Sequence, residues 1–236
     1  MIDIKCLYVG GFQEAIHGMR NPMNSWDKSD SCEPVGNVGK EKTEAVLSEY
    51  ENAEAGDFYI LGPNDKELAM TLAKAGSVHG KFRRMIIVYV DILAPLYWWK
   101  EFDTYKVGTV ANSCSTMHKI HSKKFEEDDF SFEHLIHNEM EDPYALAAVG
   151  TTLSALNRYR ELYLQTNDKK YWWQMIQLLP SSYNQKRTVM LNYEVLSNIY
   201  IYRRDHKLDE WREFCKMIEH LPYFELITCN AKEDSE

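Results

Sequence analysis

Two asparagines and an arginine are regularly spaced near the end of this chain. Asn192, Asn198 and Arg203 follow one another at intervals of six and five residues. Apolar residues at helical spacing over 189–202 predict one helix that carries all three. At about 100° per residue, Asn192 and Arg203 then lie about 20° apart around the helix axis, and Asn198 lies on the opposite flank. The arginine offers a planar donor fork for a carbonyl or phosphate, and the amides suit the edge of a flat ring. The same spacing also fits ordinary polar positions of a surface helix.

The stretch around these residues resembles the second half of the active site of flavin-dependent thymidylate synthases. That family has a Leu-Pro, an Asn, a second Asn six residues on and an Arg five beyond it. The matching positions, without a gap, are Pro180, Asn192, Asn198 and Arg203. The His and Trp that follow in the family correspond, within about one residue, to His206 and Trp211. The resemblance implies that Arg203 holds the pyrimidine ring as the catalytic and substrate-binding residue, and that Asn192, Asn198 and His206 bind the flavin.

The first half of that active site corresponds to the stretch from Ala94 to Met117, where the match is poorer. Thr104-Tyr105-Lys106 stands in place of the family's Arg-His-Arg. The resemblance implies that Lys106 and Thr109 bind the flavin. It implies that Glu101, in place of a Gln, and Cys114, in place of a Ser, bind the substrate. Further upstream, His79-Gly80 and Phe82 resemble a His-Gly-x-x-Phe segment of the family, which implies that His79 also borders the flavin.

The resemblance covers about Ala69 to Trp211 and carries expectations of fold and function. It implies an α+β fold with a central sheet flanked by helices. It also implies reductive methylation of dUMP with FAD, with NADPH and methylenetetrahydrofolate as co-substrates, in a homotetramer whose sites lie between subunits. The missing arginines leave two alternatives. One is a catalytically altered or lapsed homologue that binds a nucleotide or another ligand on the same scaffold, and the other is a structural or partner-binding subunit.

The pattern of apolar residues and chain breakers predicts the elements that must position these side chains. We expect one α+β domain over 1–228, with a long polar loop at 20–42 that covers a ligand or is ordinary surface, and a frayed tail at 229–236. Strands are predicted at 4–9 and 85–93. Helices are predicted at 12–19, 66–75, 96–102, 146–166, 171–178, 189–202 and 211–220.

Composition excludes some classes of function. The formal net charge is −9, which argues against general binding to DNA or RNA, because neutralising phosphates needs a basic face. The five cysteines have no Cys-x-x-Cys spacing, which indicates free thiols in a reducing compartment. With no signal peptide and no apolar run of about 18 residues, we expect a cytoplasmic protein with no membrane partner.

Two further groups of residues are open to more than one interpretation. His118, His121, His134 and His137 form two His-x-x-His pairs, which suit a metal ion on a helix but are also typical of an ordinary surface. Without a supporting motif, we expect no metal site. Cys114 is either a small buried cysteine or a thiol activated by Lys106 or His118.

Overall fold

The strands form a single sheet, as expected. The computed structural model describes residues 2–33, 59–138 and 140–231. Within them lies one antiparallel four-stranded sheet flanked by helices, which confirms the predicted α+β class. The strand order is β1-β2-β4-β3. The strands are β1 (Asp3–Gly10), β2 (Ile87–Pro95), β3 (Val110–Ser113) and β4 (Asn184–Asn192).

Nine α-helices occur within the described ranges, and most of them match predicted segments. They are α1 (Phe12–Arg20), α2 (Pro63–Lys74), α3 (Leu96–Phe102), α4 (Thr116–Lys119), α5 (Pro143–Thr166), α6 (Lys169–Leu178), α7 (Tyr193–Arg203), α8 (Asp209–Glu219) and α9 (Glu225–Thr228). Short 3₁₀ helices occupy Asn21–Met23, Trp26–Lys28, Gly80–Met85 and Glu127–Asp129. No described helix combines the length and the hydropathy needed to cross a membrane.

Strand β2 shows why these residues form a sheet. Val88, Val90, Ile92 and Ala94 are fully buried, while Tyr89 between them is exposed. Alternate residues of a strand point to opposite faces, so one face of β2 packs into the core. The β-branched side chains of this run also favour extended backbone.

The predicted helix at 189–202 is wrong in its first part. Strand β4 continues to Asn192, and α7 begins only at Tyr193. Val189 and Leu191 are buried on either side of a less buried residue, which is the period of two that a strand requires. The Asn192 side chain is the helix cap, because its Oδ1 accepts a hydrogen bond from the Val195 N–H at 3.0 Å. Asn192 therefore shares no helical face with Arg203.

The chain divides into two compact units, and each of the four strands has residues in both. The first unit comprises 1–3, 93–104 and 112–187, and the second comprises 4–92, 105–111 and 188–236. The core of the first unit contains Ile120, Phe125, Phe130, Leu156 and Met175. Buried side chains of the second unit include Phe12, Ile16, Leu196, Trp211 and Phe214. The interpretation as a single domain stays a prediction.

The predicted long loop at 20–42 is held in place over its described part. Asp65, at the start of α2, accepts hydrogen bonds from Arg20 Nε at 2.6 Å, from Ser29 Oγ at 2.7 Å and from Ser31 Oγ at 2.7 Å. The two partners of the ion pair, Arg20 and Asp65, are buried. Burial raises the pKa of Asp65, but the hydrogen bonds from Ser31, Ser29 and Arg20 outweigh it, and the pKa lies below its usual value. Residues 34–42 of this prediction, and 232–236 of the predicted tail, lie outside the described residues.

Candidate functional site

Arg203 is held by aromatic side chains of the second unit. Its Nε donates a hydrogen bond to the Tyr105 hydroxyl at 3.0 Å. The centre of its guanidinium lies 4.7 Å from the ring centroid of Trp211 and 5.8 Å from that of Tyr105. Trp211 is fully buried, and His206 contacts it edge-on with 6.4 Å between the ring centroids. We call Arg203, Tyr105, Trp211 and His206 the arginine cage.

The physical consequence of the arginine cage is a positioned cation. A guanidinium stacked on an indole gains cation–π attraction without losing its in-plane N–H donors. The Tyr105 hydroxyl takes the Nε–H, one of five N–H donors on the side chain. Arg203 is the last residue of α7, so the helix fixes its backbone, while Tyr105 and Trp211 hold its guanidinium. Such an arginine suits a planar ligand with carbonyl oxygens.

The loop that carries Tyr105 approaches the N-terminal end of α7. Gly108 has a φ of +80°, and a Cβ there would lie 2.8 Å from Asn192 Nδ2 and 3.2 Å from Val195 Cγ2. Only glycine fits this position without strain. Next to it, the Oγ1 of Thr109 is buried and has no hydrogen-bond partner among the described residues. Lys106 in the same loop is exposed.

The other predicted flavin-binding residues also lie in the second unit. His79 is exposed and precedes the 3₁₀ helix Gly80–Met85. Arg83 of that helix joins it to α7, with Nη2 2.6 Å from Glu194 Oε2 and Nη1 donating to Ser197 Oγ at 3.2 Å. Asn198, the residue after Ser197, is exposed on α7. His79 and Asn198 therefore project from two elements that are joined by a buried ion pair.

These residues can be compared with what a flavin needs. Thr109 supplies a buried hydroxyl that has no partner among the described residues, and Lys106 in the same loop supplies an exposed amine; both are group types that bind phosphates. Asn198 and His79 are exposed polar groups suited to the edge of a ring. Asn192 is less available to a ligand, because it is buried and its side-chain amide oxygen caps α7. The residue types in this set suit a flavin. Their positive charge, however, is less than is needed to balance the two phosphates of FAD.

The two residues that the resemblance assigns to the substrate alone, Glu101 and Cys114, lie in the first unit. Glu101 is half-buried on α3. Cys114 is exposed, so the interpretation as a small buried cysteine is wrong. Its carbonyl oxygen accepts a hydrogen bond from Gln185 Nε2 at 2.9 Å, and its N–H donates to the Lys186 carbonyl at 2.9 Å. Cys114 lines a cavity of about 250 Å³ in this unit.

Arg187 and Lys186 are adjacent basic residues of β4 with different surroundings. Arg187 donates to Asp103 Oδ1 at 2.7 Å and to Gln185 Oε1 at 3.0 Å, and its guanidinium lies 4.2 Å from the Trp99 ring centroid. The Arg187 guanidinium therefore makes these contacts within the first unit. Lys186, on the other side of the strand, is exposed and lines the cavity with Cys114.

The remaining sequence candidates do not converge on one site. No three His, Cys, Asp or Glu side chains in the described ranges are placed to hold a metal ion. His121 packs edge-on against Tyr163, with 4.9 Å between the ring centroids. Trp26 of the 20–33 segment stacks on His17 and borders a second cavity, of about 450 Å³, in the second unit.

The sequence did not predict the contact of Tyr105 with Arg203 or the position of Lys119 in the wall of the cavity. The sequence identifies Tyr105 only as the replacement of a family histidine, yet its hydroxyl accepts a hydrogen bond from Arg203 Nε. Lys119 lines the cavity of the first unit, beside Lys123 and Lys186. A weak signal for the lysines was present, since Lys119 and Lys123 are four residues apart in an otherwise acidic chain.

Searches with the sequence find no counterpart, whereas searches with the structure do. No protein-family model and no curated protein match the chain. A crystal structure of thymidylate synthase X (ThyX) from Helicobacter pylori with FAD and dUMP matches with a TM-score of 0.65 and 18% identity, over 99% of this chain and 100% of that one. The fold is that of flavin-dependent thymidylate synthases. A UMP/dUMP methylase, PolB from Streptomyces cacaoi, bound with 5-Br dUMP, matches with a TM-score of 0.59 and 11% identity, over 98% and 96% of the two chains.

The thymidylate synthase fold is thus present over nearly the whole chain. A second Helicobacter pylori ThyX structure with FAD and dUMP matches at a TM-score of 0.64 and 18% identity, over 98% of this chain. Folds host more than one function, so the activity must be argued from the residues of the candidate site.

Proposed function

We propose that this protein binds a pyrimidine nucleotide such as dUMP and methylates its ring reductively, in the manner of the flavin-dependent thymidylate synthases. The observation that carries the proposal is the arginine cage. By the sequence resemblance, Arg203 corresponds to the arginine that binds the pyrimidine in the family, and Tyr105 and Trp211 hold its guanidinium in place. Relatives in structure that were crystallised with dUMP or 5-Br dUMP support the choice of ligand.

Arg203 would orient the pyrimidine by donating hydrogen bonds to its carbonyl oxygens. A buried or half-buried guanidinium favours a ring on which negative charge develops, because charge-assisted hydrogen bonds are stronger than neutral ones. Tyr105 and Trp211 would act as positioning residues that limit the rotamers of Arg203. The ligand then meets a donor whose conformational entropy is already reduced.

In this proposal, Lys106 and Thr109 hold a phosphate of the flavin, and His79, Asn198 and His206 border its ring, with Asn192 supporting the loop at Gly108. When bound, reduced FAD supplies the hydride, with NADPH as reductant and methylenetetrahydrofolate as carbon donor. The protein residues supply binding, orientation and electrostatics. A homotetramer, as the resemblance implies, belongs to the same proposal, and light scattering after size exclusion measures it.

One observation favours a second candidate, a nucleotide-binding protein that works without flavin. Lys106 is the one lysine or arginine among the proposed flavin-binding residues, and it is exposed. A single lysine gives weaker binding to a diphosphate than two bidentate arginines do. The two candidates differ in whether flavin stays bound.

The test begins with the visible absorption spectrum of the purified protein, before and after addition of FAD and removal of the free cofactor. Retained oxidised-flavin bands support the enzyme, and a methylation assay with dUMP, methylenetetrahydrofolate and NADPH follows. A colourless protein that still binds dUMP in calorimetry supports the second candidate. If neither FAD nor dUMP binds, both candidates are wrong, and the partner-binding interpretation takes their place.

A further inference from the structure

The cavity of the second unit is lined by aromatic and thioether side chains together with an exposed carboxylate. Its volume is about 450 Å³, within the range of about 300–1,000 Å³ that is typical of small-molecule pockets. Its walls come from α1, from the 3₁₀ helix Trp26–Lys28, and from Tyr59 and Met85. The residues proposed above to bind the flavin or the pyrimidine are not among the described residues that line it. The cavity is therefore open to a ligand of its own.

Trp26 is held in one orientation at this cavity. Its Nε1–H donates a hydrogen bond to Asn21 Oδ1 at 2.8 Å. The indole stacks on the His17 imidazole, with 5.9 Å between the ring centroids and 18° between the ring planes. Trp26 is nevertheless 44% exposed. A large aromatic ring that is already fixed can contact a ligand with little further loss of conformational entropy.

The segment that carries Trp26 is anchored on both sides. Before it, the Ser25 carbonyl accepts a hydrogen bond from Arg20 Nη1 at 3.3 Å, which ties the segment to α1. After it, the Ser29 hydroxyl donates to Asp65 Oδ2 at 2.7 Å, which ties the segment to α2. This wall of the cavity is therefore formed before any ligand arrives.

Tyr59 and Met85 add a second aromatic ring and a thioether. Tyr59 is half-buried, and its carbonyl oxygen accepts a hydrogen bond from the Tyr223 hydroxyl at 3.0 Å. The next residue, Ile60, pairs with Cys32 in an antiparallel bridge, which fixes the backbone beside Tyr59. Met85 is exposed, and its thioether is polarisable. These groups attract a ligand by dispersion and by the electron density of the ring faces.

Gly18 leaves space at the wall formed by α1. A Cβ at this position would lie 3.2 Å from Met85 Sδ, which is closer than side chains normally approach. Glycine inside a helix lowers its stability relative to alanine. The glycine therefore keeps room beside Met85 at the expense of the helix.

The charge of the cavity is negative. Among the described residues that line it, Glu14 and Arg20 are the acidic and basic ones, apart from His17. Arg20 is buried in its ion pair with Asp65, so its charge is balanced, whereas Glu14 is exposed. Burial raises the pKa of the Tyr59 hydroxyl, and nearby acidic groups, Asp65 and Glu14 among them, raise it further. A negative cavity with aromatic walls indicates a cationic ligand.

We infer that this cavity binds a small organic cation of the quaternary ammonium class, with Glu14 as its counter-charge and Trp26 and Tyr59 as its aromatic contacts. The charge of such a cation is spread over methyl groups, which contact ring faces instead of donating conventional hydrogen bonds. A primary ammonium is strongly hydrated and is better served by hydrogen-bond acceptors than by ring faces. The inference is independent of the proposed function, because it requires neither flavin nor nucleotide.

The first experiment compares three probes by calorimetry on the full chain, without flavin or nucleotide. Choline carries the quaternary ammonium, 3,3-dimethyl-1-butanol is its uncharged isostere, and ethanolamine is the corresponding primary amine. We expect choline to bind about fivefold or more tightly than either of the others. If the alcohol or ethanolamine binds as well as choline, or if choline does not bind at millimolar concentrations, the inference is overturned.

Substitution of Trp26 tests the aromatic contact. We expect Trp26→Leu to weaken choline binding by about fivefold or more, and Trp26→Tyr to retain most of it, because tyrosine keeps a ring face. Trp173→Leu is the matched control, since Trp173 is also 44% exposed but lies on α6 in the first unit. Urea unfolding of each variant separates a loss of binding from a loss of fold. Equal affinities of Trp26→Leu and Trp173→Leu would overturn the inference.

Substitution of Glu14 tests the counter-charge. We expect Glu14→Gln to weaken choline binding by about threefold or more and to leave the binding of 3,3-dimethyl-1-butanol unchanged. Glu67→Gln is the control, because Glu67 is exposed on α2 and does not line the cavity. An effect of Glu14→Gln no larger than that of Glu67→Gln would argue against recognition of charge.

Added FAD distinguishes this cavity from the proposed flavin site. We expect the Kd for choline to stay the same at saturating FAD, because the cavity shares no residue with the set proposed for the flavin. Displacement of choline by FAD would assign the cavity to the flavin site and overturn the inference. Failure of FAD to bind at all would count against the proposed function and leave the choline measurements as they stand.

Discussion

The arginine cage of the second unit and the cavity of the first unit place positive charge by opposite means. Arg203 is fixed by a hydrogen bond to Tyr105 and by the face of a fully buried tryptophan. Lys119 and Lys186 are exposed lysines at the rim of an open space. A fixed planar cation selects the shape of a ligand, whereas the point charge of a lysine selects its charge.

The two units also differ in their most buried ion pairs, although exposed pairs such as Lys66–Glu225 and Lys123–Asp129 occur in both. In the second unit, Arg20–Asp65 and Arg83–Glu194 are almost completely buried. In the described part of the first unit, Lys123–Asp129 leaves 69% of the lysine side chain exposed. Buried pairs are costly to break, and exposed pairs contribute little to stability. We therefore expect the second unit to depend on specific polar contacts, and the first to tolerate changes of charge.

The largest effect is expected from breaking the buried pair at Asp65. Asp65→Asn leaves Arg20 without its counter-charge in a buried position. We expect the free energy of unfolding to fall by about 3 kcal/mol. Urea unfolding followed by circular dichroism measures it, with exposed Asp27→Asn as the matched control. A loss no larger than that of the control would mean that burial of this pair does not distinguish the two units.

The same pair gives a dependence on pH. Because the pKa of Asp65 is below its usual value of 3.8 in the folded protein, its stabilisation is present above that value. It is lost as the pH falls below about 4 and the carboxylate takes up a proton. The difference in unfolding free energy between the unmodified protein and Asp65→Asn should therefore shrink between pH 5 and about pH 2. A difference that stays constant over this range would contradict the assignment.

The next largest effect is expected from removing the Arg203 side chain, which we propose recognises the shape of the ligand. Arg203→Ala should raise the Kd for dUMP by about 10- to 100-fold, because a charge-assisted hydrogen bond is worth about 1.5–3 kcal/mol. Arg203→Lys should recover little of this, since a lysine has neither the fork nor the flat face. Arg204→Ala is the matched control on the adjacent residue, whose Nε pairs with Asp205. Equal effects at the two arginines would remove Arg203 from the site.

A smaller effect is expected from the positioning residue Tyr105. Tyr105→Phe keeps the ring and removes the hydroxyl that accepts the Arg203 Nε–H. We expect the Kd for dUMP to rise by about 2- to 10-fold, which corresponds to one net hydrogen bond. The value should not add to that of Arg203→Ala in the double variant, because Tyr105 acts through Arg203. Exposed Tyr202→Phe is the control, and full additivity would show that Tyr105 contacts the ligand directly.

The smallest effect is expected at the exposed pair of the first unit. Lys123→Met should change the free energy of unfolding by less than about 1 kcal/mol. Lys124→Met, one residue away and outside the cavity, is the control, and both are measured by urea unfolding. A loss close to that of Asp65→Asn would show that the first unit also relies on its ion pairs.

The sequence predicted those elements whose signal is local. The alternating buried residues of β2, and the helices α1, α3, α5, α6 and α8, follow from periodicity and chain breakers within each segment. The helix predicted at 189–202 was wrong in its first part because the apolar residues there fit both the helical period and the strand period. Val189 and Leu191 continue a strand only because they pair with neighbours in the sheet, which are distant in sequence.

The candidate site was predictable in its residue types and not in its contacts. Arg203 stood out from its chemistry and its spacing from Asn198. That its partner is Tyr105, 98 residues earlier, depends on the loop at Gly108 approaching α7. The lysines of the first unit carried a weak signal, because a basic residue on a surface helix is usually only solvated.

The sequence by itself determined the α+β class, the acidic net charge and a set of polar residues fit for a nucleotide. The tertiary structure alone decided that Asn192 caps a helix, that Arg187 is engaged within its own unit, and that Lys186 lines a cavity. The physical reason is that side-chain chemistry and local periodicity are properties of short segments. Burial, ion pairing and the shape of a cavity come from residues that only the folded chain brings together.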